Sequence, residues 1–124
     1  MQTQLPLASP QRGIWLDQRL HADLPLYNLG VYIAIDAALD IAVFESAVAA
    51  LVRRHDALRT RLHGLGGEQV LPWQDFSASV GAGVGIRDLS AERNPDAAAL
   101  SWMRQRIAEP FALDGPLFAL IWCA

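Results

Sequence analysis

From Tyr27 to Asp36 the chain alternates in polarity. Leu29, Val31, Ile33 and Ile35 fall on one side of an extended backbone, and Asn28, Gly30, Tyr32, Ala34 and Asp36 on the other. A period of two predicts a strand, because successive side chains of a pleated chain point to opposite faces. The period changes after Asp40, a helix-capping residue. Phe44, Val48, Leu51 and His55 recur at i, i+4, i+7 and i+11, with Glu45, Ala49, Arg53 and Asp56 away from that stripe, which predicts an amphipathic helix. Two more helices carry a shared start signal, a capping side chain followed by proline. Ser9-Pro10 opens the first, with Ile14, Trp15 and Gln18 on one face and an end across Leu20 to Pro25. Asn94-Pro95 opens the other, with Leu100, Met103 and Ile107 as its stripe and Pro110 beyond its end.

Shorter segments complete the pattern. Leu58 to His63 and Gln69 to Trp73 read as a hairpin, with Gly64-Leu65-Gly66-Gly67 as its turn, since glycine reaches positive φ at little cost. Ser77 to Gly85 reads as a loop, and Val84-Gly85-Ile86 as a short strand leading to Asp88. Asp114-Gly115-Pro116 is a turn. Leu117 to Cys123 is apolar throughout and reads as a strand buried on both faces. Helices interspersed with strands predict an α+β layered sandwich, a mixed sheet with about three helices, within one domain.

Composition narrows the chemistry. At 124 residues and 52% hydrophobic, the chain has the apolar content for a core. The formal net charge is −3 and all ten basic residues are Arg. No basic stripe interleaves with aromatics, which argues against nucleic-acid binding, and without Lys no Schiff base can form within the chain. A single cysteine, Cys123, allows no intrachain disulfide and predicts a reducing, cytoplasmic setting. The opening residues Met1 to Gln4 lack the charge and apolar run of a signal peptide, and no apolar stretch reaches membrane-spanning length.

Candidate reactive groups are few. His21, His55 and His63 include no pair at the i, i+4 spacing of a helical metal site, so no metal is expected; His55, closing an apolar stripe, reads as a hydrogen-bonded packing residue. Cys123, in an apolar strand, behaves as a small hydrophobe. Gly81-Ala82-Gly83-Val84-Gly85 neither follows a clear strand nor opens a helix, so a loop accounts for it better than a phosphate cradle. Arg53, Arg54, Arg59 and Arg61 cluster at the end of the second helix, where cations favour the macrodipole. That explains Arg53 well. It explains Arg59 less well, since Arg59 opens the predicted strand beside Leu58 and, if buried, needs a carboxylate partner.

Three stretches resemble the condensation-domain family of non-ribosomal peptide synthetases. Leu5-Pro6-Leu7-Ala8-Ser9-Pro10-Gln11-Arg12-Gly13-Ile14-Trp15 is similar to the family's opening motif, through Ser9, Gln11, Arg12 and Trp15. Arg54-His55-Asp56-Ala57-Leu58-Arg59-Thr60-Arg61-Leu62 is similar to its second motif, RHExLRTxF, with Asp56 in place of Glu and Leu62 in place of Phe. Pro110-Phe111-Ala112-Leu113-Asp114-Gly115-Pro116-Leu117 resembles the segment leading into the strand before the active site.

The resemblance implies the amino-terminal portion of a chloramphenicol-acetyltransferase-like lobe. It also implies amide formation between acyl or aminoacyl thioesters tethered by phosphopantetheine to carrier proteins, with no cofactor bound directly. The family's signature HHxxxDG lies downstream of the matched motifs, and this chain contains no adjacent histidine pair. No catalytic residue is therefore expected here, and the chain alone is expected to be inactive. By the resemblance, an arginine of the second motif pairs with the signature's aspartate; Arg59 is the best match and Arg54 the second. Without that aspartate, Arg59 is expected to be solvated or to pair with a local carboxylate such as Asp56. A start at Met1 suits an initiating or stand-alone module, and the opening motif most resembles siderophore-type synthetases. Expected partners are carrier proteins, the remainder of the domain and neighbouring synthetase domains. Two other readings stay open: another acyltransferase of the superfamily, or a non-enzymatic module that docks a carrier protein. Finally, the uncharged run Leu117 to Cys123 is expected to drive self-association, by strand pairing or strand exchange.

Overall fold

The computed structural model describes residues 4–64, 71–77 and 84–124. Among them the elements run β1 (Leu5–Pro6), α1 (Ser9–Leu20), α2 (Ile41–Arg54), a single 3-10 turn (Asp56–Arg59), β2 (Thr60–His63), β3 (Trp73–Phe76), β4 (Gly85–Arg87), α3 (Pro95–Ile107) and β5 (Ile121–Cys123). Helices and strands mix as α+β, and both antiparallel and parallel pairing occur. β1, β3 and β2 lie in that order in an antiparallel sheet, while β4 and β5 pair in parallel.

The three helices start close to where the sequence puts them. Asp40 Oδ1 accepts from the Val43 amide at 3.0 Å, and Asn94 Oδ1 from the Ala97 amide at 3.1 Å, so each cap satisfies one of the donors a helix start leaves free. The start of α1 differs from expectation. Ser9 is already helical, and the cap is Ala8, whose amide donates back to Gln11 Oε1 at 2.8 Å. Half of a capping box thus forms without a capping hydroxyl.

The α2 stripe is also corrected. Val48 and Val52 are buried, with Phe44 packed beside them, whereas Leu51 and His55 are exposed. The buried face follows i, i+4 and i+8, drifting off the predicted line by one position. Val84 joins Val48 and Val52, and Leu58, Phe118, Leu120 and Trp122 pack around them. His55 has no packing role. It caps α2 in an extended conformation, its amide donating to Leu51 O at 3.1 Å.

The hairpin forms with a different frame. Residues 56–59 turn as a 3-10 helix, so β2 begins at Thr60, and β3 runs Trp73–Phe76. Cα partners are Thr60 with Phe76, Arg61 with Asp75, Leu62 with Gln74 and His63 with Trp73. Gly64 has φ 76°, the left-handed region that glycine reaches at little cost; positions 65–70, including the rest of the expected turn and Gln69, lie outside the described residues, as do 78–83 of the glycine-rich stretch. The two-residue β1, against β3, carries no period long enough to read from sequence.

Two strand expectations are overturned. Leu117 to Leu120 is not strand; only Ile121–Cys123 pairs, with β4, and its residues are half-buried. Phe118, Leu120 and Trp122 face the core cluster, so the run is covered mainly on one side. The segment from Tyr27 to Asp36 has no strand partner among the described residues. Leu29, Val31 and Ile33 are 94%, 92% and 79% exposed. Only its start is tied to α3, and Tyr32, Ala34 and Asp36 on the other face are exposed as well. Asn28 Nδ2 donates to Ile107 O at 2.9 Å and Glu109 O at 2.7 Å, and a side chain at Gly30 would collide with that of Ile107.

Candidate functional site

The second-motif segment is a tight change of direction between α2 and β2. After the last helical residue, Arg54, His55 turns extended, Asp56–Arg59 makes the 3-10 turn, and Thr60 enters the sheet. Arg59 is held across that turn. Its Nη2 donates to Asp56 Oδ1, and its Nη1 to Ser77 O at 3.2 Å. The backbone closes the same loop, with the Ser77 amide on Arg59 O at 2.9 Å and Thr60 Oγ1 donating to Asp56 O at 3.3 Å. The carboxylate is mostly in water and the guanidinium mostly out of it, with side-chain exposures of 59% and 17%. Arg59 Nε is buried without an acceptor among the described residues. A guanidinium has five donors in a fixed fork, and this one keeps donor capacity that its local partners do not use.

The neighbours of Arg59 divide. Leu58 packs on the core cluster. Arg54 and His55 are exposed, and Arg54 with Arg53 forms a cationic last turn of α2, which suits the macrodipole. Thr60 and Leu62 point the other way, into a cavity of about 250 Å³.

That cavity joins all three motif segments. Gln11, Ile14 and Trp15 come from the opening motif, Thr60 and Leu62 from the second, and Phe111, Leu113 and Leu117 from the third. The lining is mainly apolar, with amides at its rim. Gln11 and the buried Gln74 exchange side-chain hydrogen bonds at 3.1 Å each way, and Gln74 Nε2 also reaches Pro6 O at 3.3 Å. This pair ties α1 to β3 and β1. Gln18 is buried too, donating to His21 O at 3.1 Å and Leu24 O at 2.7 Å. Trp15 carries the Arg19 guanidinium 5.3 Å from its ring centre, and its indole Nε1 is buried without an acceptor among the described residues. Ser9 and Arg12 are exposed on the outer side of α1.

At the foot of α1, Tyr27 donates its hydroxyl to Asp17 Oδ2 at 2.6 Å. That bond to a carboxylate raises the phenol above its ordinary value of 10.0, helped by desolvation and by repulsion between the two anions.

One cluster escaped the sequence reading. His63 Nε2 lies 3.2 Å from Asp75 Oδ2, whose side chain is 5% exposed, and the imidazole stacks on Trp73 with centroids 3.9 Å apart and planes at 14°. That Nε2 is buried without a hydrogen-bond partner among the described residues. Register creates the cluster. His63 stands opposite Trp73, and Asp75 is the diagonal neighbour two positions along. Only the correct frame of β3 could have revealed it. No cluster of three metal-ligating side chains occurs among the described residues, and no helix among them is long and apolar enough to cross a membrane.

The sequence profile of the condensation domain matches residues 1–121, and the chain belongs to that family. It is 35% identical over 116 residues to a dimodular nonribosomal peptide synthase of Bacillus subtilis (strain 168), an alignment covering 93% of this chain and 5% of that protein. It is 38% identical over 108 residues to an isonitrile lipopeptide synthase of Streptomyces coeruleorubidus, covering 87% of this chain and 7% of that one. In three dimensions it resembles the starter condensation domain of rhizomide synthetase RzmA, solved as a mutant in complex with C8-CoA. The TM-score is 0.87 at 32% identity, over 98% of this chain and 28% of the solved one. The chain therefore spans about a quarter of a solved condensation domain and a small fraction of each synthetase.

Proposed function

We propose that this chain is the amino-terminal portion of a condensation domain that joins a donor acyl or aminoacyl thioester to an acceptor amine, both tethered by phosphopantetheine to carrier proteins. The observation that carries the reading is the convergence of the three motif segments on one cavity, with Arg59 fixed behind its wall. The likeness to a starter domain solved with C8-CoA supports an initiating module with an acyl donor; the siderophore-type subclass rests on the opening motif alone. Arg59 takes a positioning role. Its buried, unused Nε suits a carboxylate arriving from the signature loop of a complete domain, with Arg54, exposed at the helix end, the lesser candidate.

In this reading the 124 residues do no condensation by themselves. Thioester aminolysis needs the amine positioned and the developing oxyanion stabilised, and the histidine pair tied to that chemistry is not in the sequence. Mass spectrometry after mixing the chain with donor- and acceptor-loaded carrier proteins should find no amide product; turnover above background refutes it. In a complete domain carrying this segment, Arg59→Ala should lower both the unfolding midpoint and the activity, because it strands a buried carboxylate, at roughly 3–5 kcal/mol. Lost activity at an unchanged midpoint would make Arg59 part of the chemistry instead.

A further inference from the structure

Asp56 and Arg59 stand three positions apart in a 3-10 turn. Side chains at i and i+3 of such a helix eclipse one another. The turn therefore delivers a carboxylate and a guanidinium to one side of the chain, where Arg59 Nη2 donates to Asp56 Oδ1. The carrier of that carboxylate is itself pinned: Asp56 O accepts from Thr60 Oγ1, at the first position of β2. A second contact reaches the guanidinium from beyond β3, where Ser77 O accepts from Nη1 at 3.2 Å.

As a source of stability the ion pair counts for little, because Asp56 lies mostly in water and an exposed pair is screened. As a geometric constraint it counts for more. A guanidinium is a rigid planar fork. Two acceptors on its two terminal nitrogens fix both its place and its tilt, whereas one acceptor leaves it free to pivot. Of the two acceptors only Asp56 is charged, and a charge-assisted bond is the stronger kind. Arg59 Nε, buried and without an acceptor among the described residues, is thereby held in one direction. We infer that Asp56 is a positioning residue for condensation: it holds the Arg59 fork so that its Nε side meets, already oriented, the carboxylate that a complete domain brings. The inference rests on the condensation reading and adds a residue to it. Asp56 touches no substrate in this role and acts only through Arg59.

The test uses a complete condensation domain carrying this segment, with donor- and acceptor-loaded carrier proteins. Asp56→Asn removes the charge at nearly constant shape. It should lower kcat about tenfold with KM and the unfolding midpoint unchanged, since a tilted fork disturbs the reacting arrangement and neither substrate binding nor burial. Asp56→Glu keeps the carboxylate and should bring kcat back to within about threefold of the parent. In the 124-residue chain itself, the Arg59 Nε–H resonance should shift and broaden on Asp56→Asn, a readout that needs no activity. Arg59→Ala separates the two levels of the argument. If it abolishes activity while Asp56→Asn leaves kcat within about twofold of the parent, the condensation reading stands and the role of Asp56 falls. If Arg59→Ala leaves activity whole, the role of Arg59 falls and that of Asp56 with it. A kcat loss in Asp56→Asn that comes with a lowered midpoint makes Asp56 merely structural and overturns the inference. So does a loss that Asp56→Glu fails to restore, or an Nε–H resonance that Asp56→Asn leaves unmoved.

Discussion

β2–β3 and the 28–36 segment are both extended and end up in opposite situations. In the hairpin, each alternate position has found a different neighbour: Thr60 and Leu62 line the cavity, and His63 stacks on Trp73 beside a buried Asp75. In 28–36 only Asn28 and Gly30 meet α3, and the rest of both faces lies in water. A period of two encodes which side chains share a face. It does not encode whether a ladder partner exists, because pairing is a property of some other segment. In β2 and β3 the partner lies a dozen residues away and both strands are present. For 28–36 no described residue supplies one.

The largest expected effect lies on the paired side. Gln74→Ala removes the amide that satisfies Gln11 and reaches Pro6 O, leaving polar groups without their partners beside the cavity. Urea denaturation should show a loss of about 1–3 kcal/mol. A change under 0.5 kcal/mol would mean that water replaces the pair and that the hairpin is less closed than its bonds imply.

An intermediate effect comes from the anchor at the start of the open segment. The Tyr27 phenol titrates above its ordinary 10.0 in the folded chain because its hydroxyl is donated to Asp17. A raised folded value means the bond's contribution is complete below the unfolded value and is lost as pH rises through the folded one. Phenolate absorbance should therefore show one tyrosine titrating late, and Asp17→Asn should bring that titration earlier. An unchanged titration in the variant would detach Tyr27 from Asp17.

The smallest effect tests the open side directly. Val31→Thr keeps β-branching at a side chain that already lies in water, so stability in dilute solution should change by less than about 0.5 kcal/mol. A larger loss would show that the odd face is covered within a single chain.

Much of this fold was legible in the sequence, for local reasons. Asp40 and Asn94 cap helices because their side chains reach amides three residues on. Of the motif residues, Gln11, Trp15, Thr60 and Leu62 meet at one cavity, while Ser9, Arg12, Arg54 and His55 are exposed. What failed to show was set by distant contacts. The α2 stripe settles on Val52 instead of Leu51 because the core it meets comes from Val84, Phe118 and Trp122. Arg59 lies in a 3-10 turn, where its bond to Asp56 competes with extension into β2. The His63–Asp75 contact needed a register that the apolar pattern alone misplaced by several residues.

Asn28 also constrains the order in which the molecule assembles. Its amide serves carbonyls 79 and 81 positions later, at the finish of α3. Those carbonyls have no partner inside a helix that has only just formed. Until the chain closes a loop of about eighty residues, those exposed carbonyls are left to water, and the closure carries an entropic cost ahead of any reward. Helix α2, capped at its start by its own Asp40, waits for no such closure. The two helices should accordingly mature at different times during folding, α2 early and the end of α3 late, with Gly30 settling against Ile107 as the step that joins them.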